Sequence, residues 1–210
     1  MKGLLIKDLL VLKKTGRLFL ALIALYLFMG ITMGTDFGPM MVFISGMLTI
    51  TTFAYDEQAK WDAYALSMPI SRRDIVRSKY LLAILLVFLG ALLGALLSLA
   101  QGFSGKAIAA TEVFSSAGLA LCACLLFNSM GIPLLYKLGT EKTRMVLLVC
   151  YALPIMGIAF LMQQIEKNPV TMVQMDSLMH TAVIALPFVT IGLMWISYMI
   201  SIKILMKKDL

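Results

Sequence analysis

The chain has 210 residues, 61% of them apolar and only 14% charged, with a mean hydropathy of +0.95 and a formal net charge of +7. This composition excludes a soluble domain with an ordinary polar surface and marks an integral membrane protein. The basic residues lie beside apolar runs, where they set topology and meet anionic headgroups, so the positive charge does not point to nucleic acid.

Residues 1–17 carry five basic residues and one acid. Leu5, Leu9 and Leu12 share one helical face and Lys7 and Lys14 another, with Asp8 and Leu10 breaking the separation, which predicts an interfacial helix lying on the membrane. The apolar run Leu18 to Gly34 ends without a small-x-small cleavage site and is read as a retained first span. A short loop containing Asp36 leads to a second span, Pro39 to Tyr55, antiparallel to the first. Asp56 to Lys79 is then a charged island holding nine of the chain's 29 charged residues in 24 positions, expected to face water. Tyr80 to Ala100 forms the third span. A loop with Gly102, Gly105 and Lys106 leads through Glu112 to the fourth, Val113 to Tyr136, with Pro133 near its end. A basic loop, Lys137 to Arg144, precedes the fifth span, Met145 to Gln163, which contains Pro154. Gln164 to His180 reads as a long loop with a turn signal at Asn168-Pro169. Thr181 to Ile202 is the sixth span, and Lys203, Lys207 and Lys208 form a basic tail. The fold class is therefore all-α, a polytopic membrane protein of six transmembrane helices in a single domain, 1–210.

Counting Lys and Arg, residues 1–17, the island, the Lys137 loop and the tail hold five, five, three and three, whereas the intervening loops hold none, one and one. This positive-inside bias places the island and both termini in the cytoplasm.

Within the island, Trp61, Tyr64, Ala65 and Met68 recur at helical spacing and put two aromatics and a methionine on one stripe of a short helix. Pro69 stops that helix. Ser71 followed by Asp74 reads as a capping box that starts a second helix running to Ala100. At 1.5 Å per residue this second helix is about 45 Å long, and the hydrocarbon core takes up about 30 Å of it. The aromatic helix is thus joined through one proline corner to a lever that enters the membrane. Aromatic anchors on a water-exposed helix call for a groove in a partner protein.

No Asp, Glu, Lys, Arg or His falls within the six spans. Proton relays, ion pathways and voltage sensors need such residues at membrane depth, so pumps, ion channels and ion-coupled transporters are disfavoured. Intramembrane proteolysis lacks its residues too, and the chain offers no catalytic, cofactor-binding or metal-binding set. Cys122, Cys124 and Cys150 have neither a disulfide pattern nor zinc spacing and are expected to be small buried residues. Gly90-x-x-x-Gly94 and Gly30-x-x-x-Gly34 are expected to pack helices within one bundle. Thr49, Thr51, Thr52 and Asn128 are expected to bond back to their own helices or join neighbours. His180 is read as an interfacial polar residue.

Residues Ala65-Leu66-Ser67-Met68-Pro69-Ile70-Ser71-Arg72-Arg73-Asp74-Ile75-Val76, with Lys79 after them, resemble the pattern that follows the second span in type-2 permeases of ATP-binding-cassette exporters. The opening Met1-Lys2-Gly3-Leu4-Leu5-Ile6-Lys7-Asp8-Leu9 and the six-span layout are similar to that family as well. The resemblance implies a bacterial cell-membrane subunit that dimerises, with itself or with a paralogous permease. It also implies two copies of a separate ATPase, which would hold ATP and Mg. Residues 56–79 would then be a coupling segment contacting that ATPase through Trp61, Asp62, Tyr64, Ala65, Met68, Pro69, Ser71, Arg72 and Arg73. The short form resembles exporters of amphipathic peptides such as the phenol-soluble modulins, and it lacks the large extracellular domain of bigger members. No Gly-x-x-x-x-Gly-Lys-Ser/Thr phosphate loop occurs here, so any ATP must be bound by another chain. The expected function is that of a permease subunit exporting amphipathic peptides or hydrophobic compounds. The competing expectation is a non-transporting membrane anchor that recruits a cytoplasmic protein through residues 56–79.

Overall fold

The computed structural model describes residues 2–33, 36–66, 71–102, 110–150, 152 and 169–207, which form seven helices and no strand. These are α1 (Lys2–Met33), α2 (Gly38–Gln58), α3 (Trp61–Leu66), α4 (Arg72–Gly102), α5 (Ala110–Leu138), α6 (140–150) and α7 (Pro169–Lys207). Met68, Pro69, Gly34, Gly105, Lys106 and Lys208 lie outside the described residues, as does most of the predicted fifth span, including Pro154.

Local chemistry sets the helix ends. The Asp36 carboxylate accepts the Gly38 N–H at 2.8 Å, and Pro39 occupies the first turn of α2, where its missing N–H costs nothing. Ser71 Oγ accepts the Asp74 N–H at 3.1 Å and donates to the Asp74 carboxylate at 2.8 Å, so the expected cap starts α4. From there α4 runs unbroken for 31 residues. Gly139, at φ +79°, ends α5 in the left-handed conformation that glycine adopts without strain, and α6 starts immediately after it. The predicted loop Gln164 to His180 is corrected in part. From Pro169 onward it is helix, because proline suits a first helical position and nothing in 170–180 breaks the turn that follows.

Among the described residues four helices are long and apolar enough to cross a membrane: Gly38–Gln58, Arg72–Ala100, Thr111–Leu138 and Ala185–Lys207. The two parts of α1, Gly3–Lys13 and Gly16–Thr32, meet at 62° and together could form a fifth. Exposed Leu18, Leu25 and Phe28 of α1 and Phe188, Ile191 and Trp195 of α7 present an apolar surface suited to lipid.

Helix α2 occupies the centre, packed on α4 and α5; α7 packs on α5 and α4, and α1 leans on α4 and α2. The α2–α4 contact is close because small residues face each other. A Cβ on Gly94 would collide with the Gly38 carbonyl, and one on Gly90 would come within 2.5 Å of the Ser45 side chain. Gly90 and Gly94 therefore pack helices within the bundle, as expected. Ser45, Thr52 and Asn128 bond back to Met41, Thr49 and Cys124 carbonyls at 2.8, 2.8 and 3.0 Å. Of the cysteines, Cys124 is buried, Cys122 is half-buried and Cys150 is exposed, which corrects the expectation that all three are interior.

Replacing Gly94 with Leu should drive α4 away from α2. Overpacking of this kind typically costs about 1–3 kcal/mol, and thermal unfolding of the purified variant in detergent should show a clear drop in midpoint. An unchanged midpoint would mean that the two helices do not meet at this position.

Candidate functional site

The charged island begins and ends on buried charges. Asp56 lies in the last turn of α2 and Lys79 two turns into α4, and both are buried against partners from α1. Lys7 Nζ donates to Asp56 Oδ1 at 2.6 Å and lies 3.1 Å from Asp8 Oδ1. Lys79 Nζ is 2.6 Å from Asp56 Oδ2 and 3.0 Å from Asp8 Oδ1. Each ammonium thus touches both carboxylates, and the four groups close a ring with no net charge. Only such pairing lets these groups leave water, because an isolated buried charge costs far more than a helix contact returns. Lys79 also reaches Thr52 Oγ1 at 3.5 Å and stands 5.0 Å above the Phe53 ring.

This ring corrects one expectation. The island is not solvated throughout: its first and last residues are interior because α1 supplies the opposite charges. The face that the N-terminal helix turns to the bundle is a different one from the Leu5-Leu9-Leu12 face expected to lie on the membrane. Leu4 and Asp8, one turn apart, are buried, while Leu9 is exposed.

The ring also holds α3. Lys7 Nζ sits 4.2 Å from the centre of the Trp61 ring, a cation–π contact that leaves Trp61 half-buried. Ala65 is fully buried in a cluster with Ile75, Val76 and Leu205. Tyr64, its ring 5.5 Å from that of Trp61, remains 57% exposed. Asp62 belongs to the same short helix. Ser71 and Arg73 are exposed, whereas Arg72 Nη1 donates to the Leu205 and Met206 carbonyls at 2.8 and 3.1 Å and so caps the end of α7. The stripe residues that can meet a partner directly are therefore fewer than the spacing suggests, since Ala65 and part of Trp61 serve the protein's own packing.

The other end of the basic surface is pinned by Glu57. Its carboxylate accepts the Thr140 N–H at 2.8 Å and the Thr140 hydroxyl at 2.6 Å, capping α6. A side chain at Gly139 would come 2.7 Å from Glu57 Oε1. The predicted basic loop 137–144 is helical apart from Gly139, and the predicted basic tail is helical as far as Lys207. These segments, residues 1–17 and the island are bonded together at one end of the bundle, as the charge count requires of segments on one side of a membrane.

One step further in, the Tyr80 hydroxyl lies 2.5 Å from Ser197 Oγ and 2.8 Å from Ser201 Oγ, joining α4 to α7. Ser197 in turn donates to the Ser129 carbonyl of α5. That carbonyl is open because Pro133, one turn later, has no N–H to give it.

Among the described residues no three potential ligands cluster to hold a metal. The arrangement is mechanical: it fixes a short helix to the ends of α1, α2 and α4. Lys7, Asp8, Asp56 and Lys79 were not singled out by sequence patterning. The one local signal was Asp8, an acid interrupting a basic amphipathic helix.

Replacing Lys79 with Met leaves two carboxylates sharing Lys7, and removing one member of a buried ion pair typically costs about 3–5 kcal/mol. The double variant Lys79→Met, Asp8→Asn restores charge balance and should lose clearly less than the sum of the two single changes. Unfolding midpoints of the four proteins test this; simple additivity would mean the groups are not coupled.

The family described as ABC-2 family transporter protein matches residues 3–206, nearly the full chain. No curated protein and no solved structure matches it. With a family match over almost every residue and, among the described residues, four apolar helices of membrane-spanning length, the chain belongs to the ABC-2 transporter family as a multi-pass membrane subunit.

Proposed function

We propose that this chain is the permease subunit of an ATP-driven exporter that moves amphipathic peptides or hydrophobic compounds out of a bacterial cell. It would work as a dimer with two ATPase subunits that bind ATP and Mg, with both termini and residues 56–79 in the cytoplasm. The observation that carries the reading is the mounting of α3. This helix is fixed by Trp61 to the four-charge ring and by Ala65 to the start of α4, a single helix that runs on through the membrane part. A push on α3 is therefore delivered to α1, α2 and α4 together. Tyr64, Ser71 and Arg73 offer exposed contacts for the ATPase groove; Trp61, Ala65 and Arg72 brace them from behind. Asp62, Met68 and Pro69 complete the segment.

The cargo class follows from what the spans lack. A charged solute would find nothing there to replace its hydration shell. An apolar groove of about 610 Å³ between α2, α5 and α6, lined by Met47, Ile50, Phe127, Leu147 and Leu148 with Arg144 at its rim, supports a cargo that is mostly apolar with a polar end. Methionine and leucine walls adapt to varied apolar shapes.

Tyr64→Ala, Arg73→Ala should abolish export and lower the amount of co-purified ATPase about thirtyfold, the effect of losing about 2 kcal/mol at an interface anchor. Its unfolding midpoint should stay unchanged, whereas Trp61→Ala should lower it by releasing Lys7. Normal export with normal ATPase binding would remove α3 from the interface. In proteoliposomes holding permease and ATPase, uptake of an amphipathic helical peptide should require ATP. Uptake driven by an imposed proton or sodium gradient without ATP would overturn the proposal.

A further inference from the structure

The ends of α5 and α7 enclose a second groove of about 630 Å³, lined by Pro133, Leu134, Lys137, Ile200, Ile204 and Lys207. Its lining runs from Pro133 to Lys137 of α5 and from Ile200 to Lys207 of α7, about 6 and 10 Å at 1.5 Å per residue. The groove thus follows the last turns of both helices to their basic ends, and its two cations stand at that rim. Each lysine is exposed in the last turn of its helix, and among the described residues neither is paired with a carboxylate. No acidic residue lines the groove.

We infer that this groove binds one anionic phospholipid of the adjoining leaflet, with its phosphate between Lys137 and Lys207 and an acyl chain along Pro133, Leu134, Ile200 and Ile204. Charge complementarity selects the occupant. A neutral lipid would leave both ammonium groups uncompensated beside the bilayer, whereas a phosphodiester supplies acceptors for two donors at once. A free anion would satisfy the lysines and leave the apolar wall uncovered, so headgroup and chain are both needed. The consequence is a lipid that bridges α5 and α7 at the level where Arg72 caps α7.

Native mass spectrometry of the full chain, released from detergent containing equal amounts of phosphatidylglycerol and phosphatidylcholine with the same acyl chains, tests the site. The wild-type protein should retain one phosphatidylglycerol per chain in preference to phosphatidylcholine. Lys137→Gln, Lys207→Gln should reduce that preference about thirtyfold, the equivalent of about 1 kcal/mol for each lysine near an anionic headgroup. Lys203→Gln, a neighbouring exposed lysine of the same helix outside the groove, should leave it intact, and the double Lys→Arg variant should retain it even if the Gln variant folds poorly. Equal retention of the two lipids by the wild type, or an equal loss in Lys203→Gln, would show only diffuse attraction to positive charge and overturn the assignment. A disulfide formed between two copies through Ile204→Cys would overturn it in favour of a subunit interface.

Discussion

The structure depends on a constraint that water ordinarily removes: four charges from three helices, three of them buried and Lys7 half-buried, must satisfy one another. Lys7, Asp8, Asp56 and Lys79 do so because each ammonium spans both carboxylates. No member can be lost without stranding another, so α1, α2 and α4 are held in one mutual register. Buried ion pairs contribute little net stability compared with apolar packing of the same volume. Their contribution here is geometric, since an apolar cluster of the same size would allow the three helix ends to slide past one another.

That register determines how the rest of this end is assembled. Helix α3 has only six residues, too short to be stable alone, and it is held by Lys7 over Trp61 and by the burial of Ala65. Glu57, one residue after the ring, ties α2 to the start of α6, and Arg72 ties the start of α4 to the end of α7. Charged side chains from the island thus act mainly on the protein's own helix ends. Lys60, Tyr64, Arg73 and Arg77 face outward, as does Ser71 while it caps α4.

Deeper in the bundle the bonding changes character. Hydroxyls replace charges, and Tyr80, Ser197 and Ser201 bind α4 to α7 while the carbonyl released by Pro133 receives the Ser197 proton. Proline is tolerated in a membrane helix when a neighbour fills the vacated acceptor. At its far end the α2–α4 pair combines the close approach of Gly38, Gly90 and Gly94 with a hydrogen bond of 2.5 Å from the Ser98 hydroxyl of α4 to the Asp36 carboxylate that caps α2. Charge pairs thus hold the basic end and hydroxyls the middle, while at the other end close glycine contact is joined by one carboxylate, Asp36.

Much of this was legible in the sequence. Runs of apolar residues identified membrane helices because a buried backbone must satisfy itself within one segment, and that requirement is local. The Ser71–Asp74 cap, the unbroken length of α4 and the gathering of four basic segments at one end were readable for the same reason: each depends on neighbours in the chain or on a simple count of charge. The ring was not readable. Lys7 and Asp8 are 48 or more residues from Asp56 and 71 or more from Lys79, and nothing local distinguishes a lysine that will be buried from one that will face water. The inward turn of Leu4 and Asp8, the division of the aromatic stripe into braced and exposed members, and the use of Arg72 as a cap for α7 were decided by tertiary structure alone. In each case the energy of the side chain is set by a partner from another helix, and only the folded chain brings that partner within reach.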